Sequence, residues 1–129
     1  MSANTPAETQ QLTATERAER QRAVVQALGR VLPQDAILYT PEDTTPYECD
    51  GLTAYRERPL VVCLPETEAQ VQAVLKACHA LQVPVVARGA GTGLSGGAMP
   101  HRMGVTLSMA RFNQIKTVDP VSRTAVATT

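Results

Sequence analysis

"RGAGTGLSGG", running from Arg88 to Gly97, holds five glycines, and the kind of loop it makes decides the fold around it. Gly91, Gly93 and Gly96 spell G-x-G-x-x-G, the spacing of a dinucleotide-binding turn between a strand and a helix. Such a turn needs a helix directly behind it. The third glycine lets that helix pack on the strand, and its N-terminus holds the pyrophosphate. Here Gly97 is followed by "AMPHRMG" and then by "VTLSM", Val105 to Met109, which alternates as a strand. Pro100 and Gly104 leave no room for a long crossover helix. Asp119 stands about where a nicotinamide enzyme would place its ribose-binding acid, but without the helix that reading is set aside. A Walker-type P-loop fails as well, because no Gly-Lys-Ser/Thr closes the motif.

Two readings stay open on the residues alone. Successive glycines can turn their backbone N–H groups into one concavity, and a missing Cβ lets a diphosphate come close. Thr92 and Ser95 would add hydroxyl donors, and Arg88 would be either a charge anchor or part of a structural ion pair. The plainer alternative is a flexible turn between strands, although so many glycines carry a large ordering entropy for a mere turn.

Upstream of the loop, "PLVVCLP" (Pro59 to Pro65) is a short apolar run bounded by prolines and reads as a buried strand. Thr67 and Gln70 form a T-x-x-Q capping box. Behind it Val71, Val74, Leu75, Cys78 and Leu81 recur at helical spacing, giving one apolar face assigned to the core. "VPVVA" (Val83 to Ala87) is the next strand. Strand, helix and strand make a βαβ unit, so the two strands are expected to be parallel. Downstream, "IKTVD" (Ile115 to Asp119) and "TAVAT" (Thr124 to Thr128) read as strands joined by a hairpin turn at "PVSR".

Further upstream, Thr13 and Glu16 form a T-x-x-E capping box, and Val24, Val25, Leu28, Val31 and Leu32 follow at helical spacing. This predicts a helix over about Ala14 to Val31, stopped by Pro33, after a loose polar tail. Ala36 to Leu38 is a candidate short strand. Thr40 to Arg58 is polar, holds two prolines and the turn signal Asp50-Gly51, and reads as a largely irregular connector. The expected organisation is therefore a disordered tail over 1–12, a helix and connector over 13–58, and the main fold over 59–129.

Composition narrows the function. Twelve basic and twelve acidic residues cancel to zero net charge, and aromatics are 3% of the chain, so no nucleic-acid partner is expected. Cys49, Cys63 and Cys78 have no short spacing and read as free thiols in a reducing compartment, two of them buried. With His79 and His101 they fit no familiar zinc pattern, so no metal site is expected. The start of the sequence has no apolar core of a signal peptide, and no apolar run approaches a membrane span. The expected location is cytoplasmic, or peripheral at the inner membrane through partner subunits.

"RPLVVCLPETEAQVQAVLKACHALQVPVVARGAGTGLSGGAMP", with "YECDGLTAYRERP" before it and "GVTLSMARFNQIKTVDPVSRTAVA" after it, closely resembles the flavin-binding segment of the FAD-linked oxidases with the vanillyl-alcohol-oxidase-type (PCMH) fold. Within that family it is most similar to the branch of glycolate oxidase D subunits and D-lactate dehydrogenases. The resemblance covers roughly Tyr47 to Ala127 and implies an α+β fold: an N-terminal helical segment, then the first βαβ-containing subdomain of a PCMH-type FAD-binding domain, truncated. It places Arg88, Gly89, Ala90, Gly91, Thr92, Gly93, Leu94, Ser95 and Gly97 along the FAD diphosphate, with Pro65 and Val86 lining the cofactor nearby.

The same resemblance implies a 2-hydroxy-acid dehydrogenase that makes a 2-oxo acid, with an FAD-domain companion subunit and an iron–sulfur subunit as partners. Family members continue into a second half of the flavin domain and a cap that carries the substrate, catalytic and metal-binding residues. The expectation is thus an N-terminal fragment with no catalytic residue, no dehydrogenase activity of its own and weak FAD affinity. Two other readings are a non-catalytic half-subunit that needs a separately encoded C-terminal half, and a nicotinamide-binding dehydrogenase using Asp119. Asp50 and Tyr55 are explained by a turn and a packing aromatic. His79, His101 and Arg102 are read as solvated.

Overall fold

The computed structural model describes residues 6–49, 51, 56–94 and 96–128, with only the backbone for 6–13. The chain opens with helix α1, Pro6–Leu28, followed by a 3-10 turn at Gln34–Ala36 and strand β1, Ile37–Leu38. Helix α2, Pro41–Thr44, and a 3-10 turn at Thr45–Tyr47 lie in the connector. Strand β2 (Val61–Cys63), helix α3 (Glu68–Ala80) and strand β3 (Val85–Arg88) follow. After the glycine loop come β4 (Val105–Ser108), β5 (Ile115–Asp119) and β6 (Thr124–Ala127).

The main sheet runs β1-β2-β4-β3, and β5 and β6 form a separate antiparallel pair. β2 and β3 are both parallel to β4, so they are parallel to each other, as a βαβ unit requires. They are not neighbours, because β4 lies between them. Val61 and Val85 both register with Val105, and Cys63 and Ala87 with Leu107. β1 pairs with β2 in the antiparallel sense.

Strand alternation divides the sheet into two faces. Val61, Cys63, Val105 and Leu107 join Val24 and Leu28 of α1 and Val74 and Cys78 of α3 in the main core. Val62 and Thr106, one register step away, face the other side and are also fully buried. Val86 and Arg88 share that second face through their pairing with Thr106 and Ser108. The Arg88 side chain meets Tyr47 and Cys49, so the connector covers this face.

Three expectations need correction. The helix begins at Pro6, inside the stretch read as a tail. Pro suits the first helical turn, and the residues behind it include Ala7, Glu8, Gln10, Gln11 and Leu12, all good helix formers. The helix also ends at Leu28, before Pro33, in a turn where the Gly29 and Leu32 amides donate to Val25 and Leu28 carbonyls. Finally, Leu75 and Leu81 are 45% and 37% exposed. The face of α3 that packs is centred on Val74 and Cys78, with Val71 and Ala77 at its margin. A helix on a narrow sheet buries a narrower stripe than its apolar spacing offers.

Both ends of α3 are fixed by local chemistry. The Gln70 amide donates to Thr67 Oγ1 (3.1 Å), and the Gln70 side chain accepts from the Glu66 amide (2.8 Å). The box thus reaches one residue further back than the usual reciprocal pair. At the other end Val83 N–H donates to Cys78 C=O and Gln82 N–H to His79 C=O. This is a Schellman stop with Gln82 at φ 54° where glycine is usual.

α1 is held differently along its length. Its C-terminal half buries Val24 and Leu28, whereas Arg17, Arg20 and Gln21 donate to main-chain carbonyls. Arg17 reaches Arg58 and Pro59, Arg20 reaches Leu81 and Gln82, and Gln21 reaches Tyr39 and Leu60.

Asp119 closes the β5–β6 turn. Its carboxylate accepts from the Ser122 hydroxyl (2.8 Å) and from the Ser122 and Val121 amides (3.2 and 3.0 Å). The Ser122 hydroxyl above all, and then these amides, hold the carboxyl below its ordinary value. A folded pKa below the unfolded one means the turn is fully supported above the ordinary aspartate range and loses support as pH falls through the lowered value. The Val121 and Ser122 amide resonances are therefore expected to shift with a midpoint below that range. Asp119→Asn should remove the transition, and a midpoint at the ordinary value would contradict the turn.

Candidate functional site

The parallel ladder of β2, β4 and β3 ends at one level, with Cys63, Leu107 and Ala87 in register. Beyond that edge β2 continues into Pro65 and β3 into Gly89. In parallel sheets ligands gather beyond the carboxyl ends of the strands, and the glycine loop starts there. The connection from Gly89 to Gly104 then carries the chain back to the start of β4 without a helix. Gly104 permits the return, since a Cβ there would lie 2.6 Å from the Pro84 carbonyl oxygen.

Within the loop Gly91 and Gly96 have φ of 73° and 77°, the left-handed region that re-aims successive amides. Gly89, Ala90, Thr92, Gly93, Leu94 and Gly97 are exposed and Gly91 is half-buried. A Cβ built on Gly89, Gly93 or Gly97 meets nothing within 4 Å, so open space fronts these residues. None of the amides from Gly89 to Leu94 donates to an acceptor among the described residues. A run of amides with no acceptor among the described residues, on residues that are exposed apart from half-buried Gly91, suits a phosphate-bearing ligand. The loop therefore fits the group that its sequence implies.

Other expected site residues fall elsewhere. Pro65 is fully buried at the carboxyl end of β2, and Val86 is half-buried on the second sheet face. Arg88 does not project from the loop. Its Nη1 donates to the Cys49 carbonyl at 2.6 Å, and its guanidinium carbon stands 5.5 Å from the Tyr47 ring centre. Ser95, Asp50 and Tyr55 lie outside the described residues. His79 is exposed, and His101, also exposed, accepts the Met103 amide at Nδ1 (3.0 Å). Arg102 joins Arg17, Glu48, Arg56, Glu57 and Arg58 around a cavity of about 350 Å³. Burial first, then the charges of Arg102 and Arg58, hold the Arg17 guanidinium below its ordinary pKa.

Burial pushes the Cys63 thiol up to about 12 and the Cys78 thiol up to about 11. Both stay protonated and unreactive at neutral pH. All three cysteines are free, and Cys49 is the half-buried one. Among the described residues no group of three His, Cys, Asp or Glu is placed to hold a metal ion. Among the described residues no helix is long and apolar enough to cross a membrane. A cleft of about 780 Å³ lies between the β5–β6 pair and the start of α3, where Arg111 bridges Asp35 and Glu66.

A glycine loop with no helix behind it, at the carboxyl edge of a parallel sheet, lacks the helix that a nicotinamide-type turn requires. A family model described as an FAD binding domain matches residues 59–129, more than half the chain, and the chain belongs to that family. FAD is accordingly its cofactor. It is 57% identical over 103 residues to glycolate oxidase subunit GlcD of Escherichia coli, covering 80% of this chain and 21% of that protein. To the D-lactate dehydrogenase of Archaeoglobus fulgidus it is 41% identical over 66 residues, 51% of this chain and 15% of that one. The chain thus spans about a fifth or less of the length of these relatives. Among solved structures, p-cresol methylhydroxylase with substrate bound superposes with a TM-score of 0.69 at 25% identity, over 79% of this chain and 21% of the other. The expected α+β, PCMH-type fold is borne out.

Proposed function

We propose that the chain supplies the diphosphate-holding part of an FAD-dependent 2-hydroxy-acid dehydrogenase of the glycolate oxidase type. The observation that carries this reading is the run of amides from Gly89 to Leu94, without an acceptor among the described residues, at the carboxyl edge of the sheet, set beside the identity to GlcD. When bound, FAD supplies the hydride acceptor for the α-carbon of the hydroxy acid. This chain's part is to hold the diphosphate: the loop amides would donate to its oxygens, and Thr92 would add its hydroxyl. Gly97 would extend the same cradle, and the sequence resemblance assigns Ser95 to it as well. Pro65, buried beneath the edge, and Val86, on the sheet, give it a rigid base. Arg88 lends positive charge from below rather than a direct contact.

Glycolate and D-lactate are the substrates this reading favours, with chemistry on residues beyond those of this chain. A companion flavin subunit and an iron–sulfur subunit, taking the electrons at a cytoplasmic location or at the inner membrane, belong to the same proposal, and co-purification tests them.

The direct test is a thermal melt. FAD is expected to raise the midpoint and NAD to leave it unchanged, because only a ligand that binds the folded state stabilises it. A shift with NAD and none with FAD would overturn the reading.

A further inference from the structure

Arg88, the connector and the glycine loop meet at three points that share one geometry. Arg88 Nη1 binds the Cys49 carbonyl at 2.6 Å, and the guanidinium lies over Tyr47. The same guanidinium fills the space that a Cβ on Gly91 would take. Gly51 approaches from the connector so closely that a Cβ there would lie 2.5 Å from the Thr92 carbonyl oxygen and 2.8 Å from that of Gly93. The connector is therefore pressed against the loop from behind, and one side chain pins both.

We propose that Arg88 is a positioning residue, a latch that holds the connector against the glycine loop and so couples the order of the connector to occupation of the diphosphate cradle. The proposal deepens the FAD reading and its second half rests on it. Three features support it. The bond from a charged guanidinium to a carbonyl is stronger than a neutral one. Arg88 issues from the last residue of β3, whose backbone is anchored in the sheet by Met109 N–H donating to its carbonyl (2.9 Å). Among the described residues around Cys49, the connector's other ties are local, apart from Arg17 holding the Arg58 carbonyl. Glu57 N–H to Glu48 C=O (2.9 Å) and the Arg58–Glu48 ion pair (3.5 Å) close it on itself rather than on the sheet. Loss of Arg88 frees the connector and leaves the loop without its backing, while the core of β2, β4 and α3 is untouched.

Cys49 makes the latch measurable. Its thiol is half-buried on the residue whose carbonyl Arg88 holds, while Cys63 and Cys78 are buried and pushed well above neutral pH. Alkylation of the full chain with iodoacetamide, read by mass spectrometry, should mark Cys49 first. Arg88→Ala is expected to raise its rate about tenfold, the factor for losing one charge-assisted hydrogen bond. Cys63 and Cys78 should stay slow, which shows that the variant is folded. Gly51→Ala, which drives the connector off Thr92, should speed Cys49 without touching Arg88. FAD should slow Cys49 in the unaltered chain and not in Arg88→Ala.

Unchanged Cys49 labelling in both variants overturns the latch. If Arg88→Ala labels all three thiols, Gly51→Ala alone decides. If FAD binds in the thermal melt yet leaves Cys49 unprotected, the coupling is overturned. If FAD does not bind, the cofactor reading fails while the latch stands or falls on the two variants.

Discussion

Gly91→Ala is expected to lower the affinity for FAD by at least about tenfold, because two costs fall on one atom. At φ 73° a Cβ clashes with the following carbonyl, at about 1–2 kcal/mol for a non-glycine residue. The same Cβ would overlap the Arg88 guanidinium. The protein then either distorts the loop or expels Arg88 from Cys49 and Tyr47. Each route misaligns the amides that face the diphosphate, and about 1.4 kcal/mol is already a factor of ten. Gly93→Ala is the control, since its Cβ meets nothing within 4 Å and its φ is not positive. Flavin fluorescence titration and a thermal melt of both variants check this. Gly91→Ala should lose midpoint and affinity, and Gly93→Ala should keep its midpoint. Equal midpoints for the two would show that the loop does not hold Gly91 as described.

Leu28→Ala is expected to cost about 2–5 kcal/mol of folding stability, the range for emptying a buried leucine site. Leu75→Ala should cost less than about 1 kcal/mol, as for a largely solvated position. Leu28 is 1% exposed where α1 meets the sheet, and Leu75 is 45% exposed on α3. A small domain has only about 5–15 kcal/mol in hand, so the first variant should give up a substantial share of it. Urea denaturation gives both values. Near-equal losses would mean that α3 packs through the face its sequence suggests rather than the one observed.

That contrast marks where the sequence was readable. Proline-bounded "PLVVCLP", the Thr67–Gln70 box and the valines of β3 and β4 each carry their own local signal, and each element formed as expected. The hairpin at "PVSR" did too, because Asp119 and Ser122 settle a turn within a few residues. What depends on distant partners was hidden. Leu75 and Val74 are equally apolar neighbours, and only the position of the sheet decides which is covered. That β4 inserts between β2 and β3 follows from the path of the helix-free connection, which periodicity does not report. The start of α1 was missed because its first turns carry helix propensity without an apolar face. The glycine loop itself was legible only as one of two things, a cradle or a flexible turn, while the lack of a following helix was enough to set the nicotinamide reading aside. The direction of Arg88 was not legible. From its place beside the glycines it read as either a charge anchor or part of a structural ion pair, and the carbonyl it binds, that of Cys49, is far back in the chain.

The way α1 is fastened bears on how freely this sequence can drift. Arg17, Arg20 and Gln21 grip the backbone oxygens of Tyr39, Arg58, Pro59, Leu60, Leu81 and Gln82. A backbone oxygen is present whatever side chain accompanies it. The receiving segments can therefore exchange residues over evolutionary time without loosening the helix, so long as three donors on α1 persist. Homologous chains should accordingly show wide variation at positions 39, 58 and 81 and little at 17, 20 and 21. The attachment is a mortise cut to the main chain, indifferent to the identity of the wood around it.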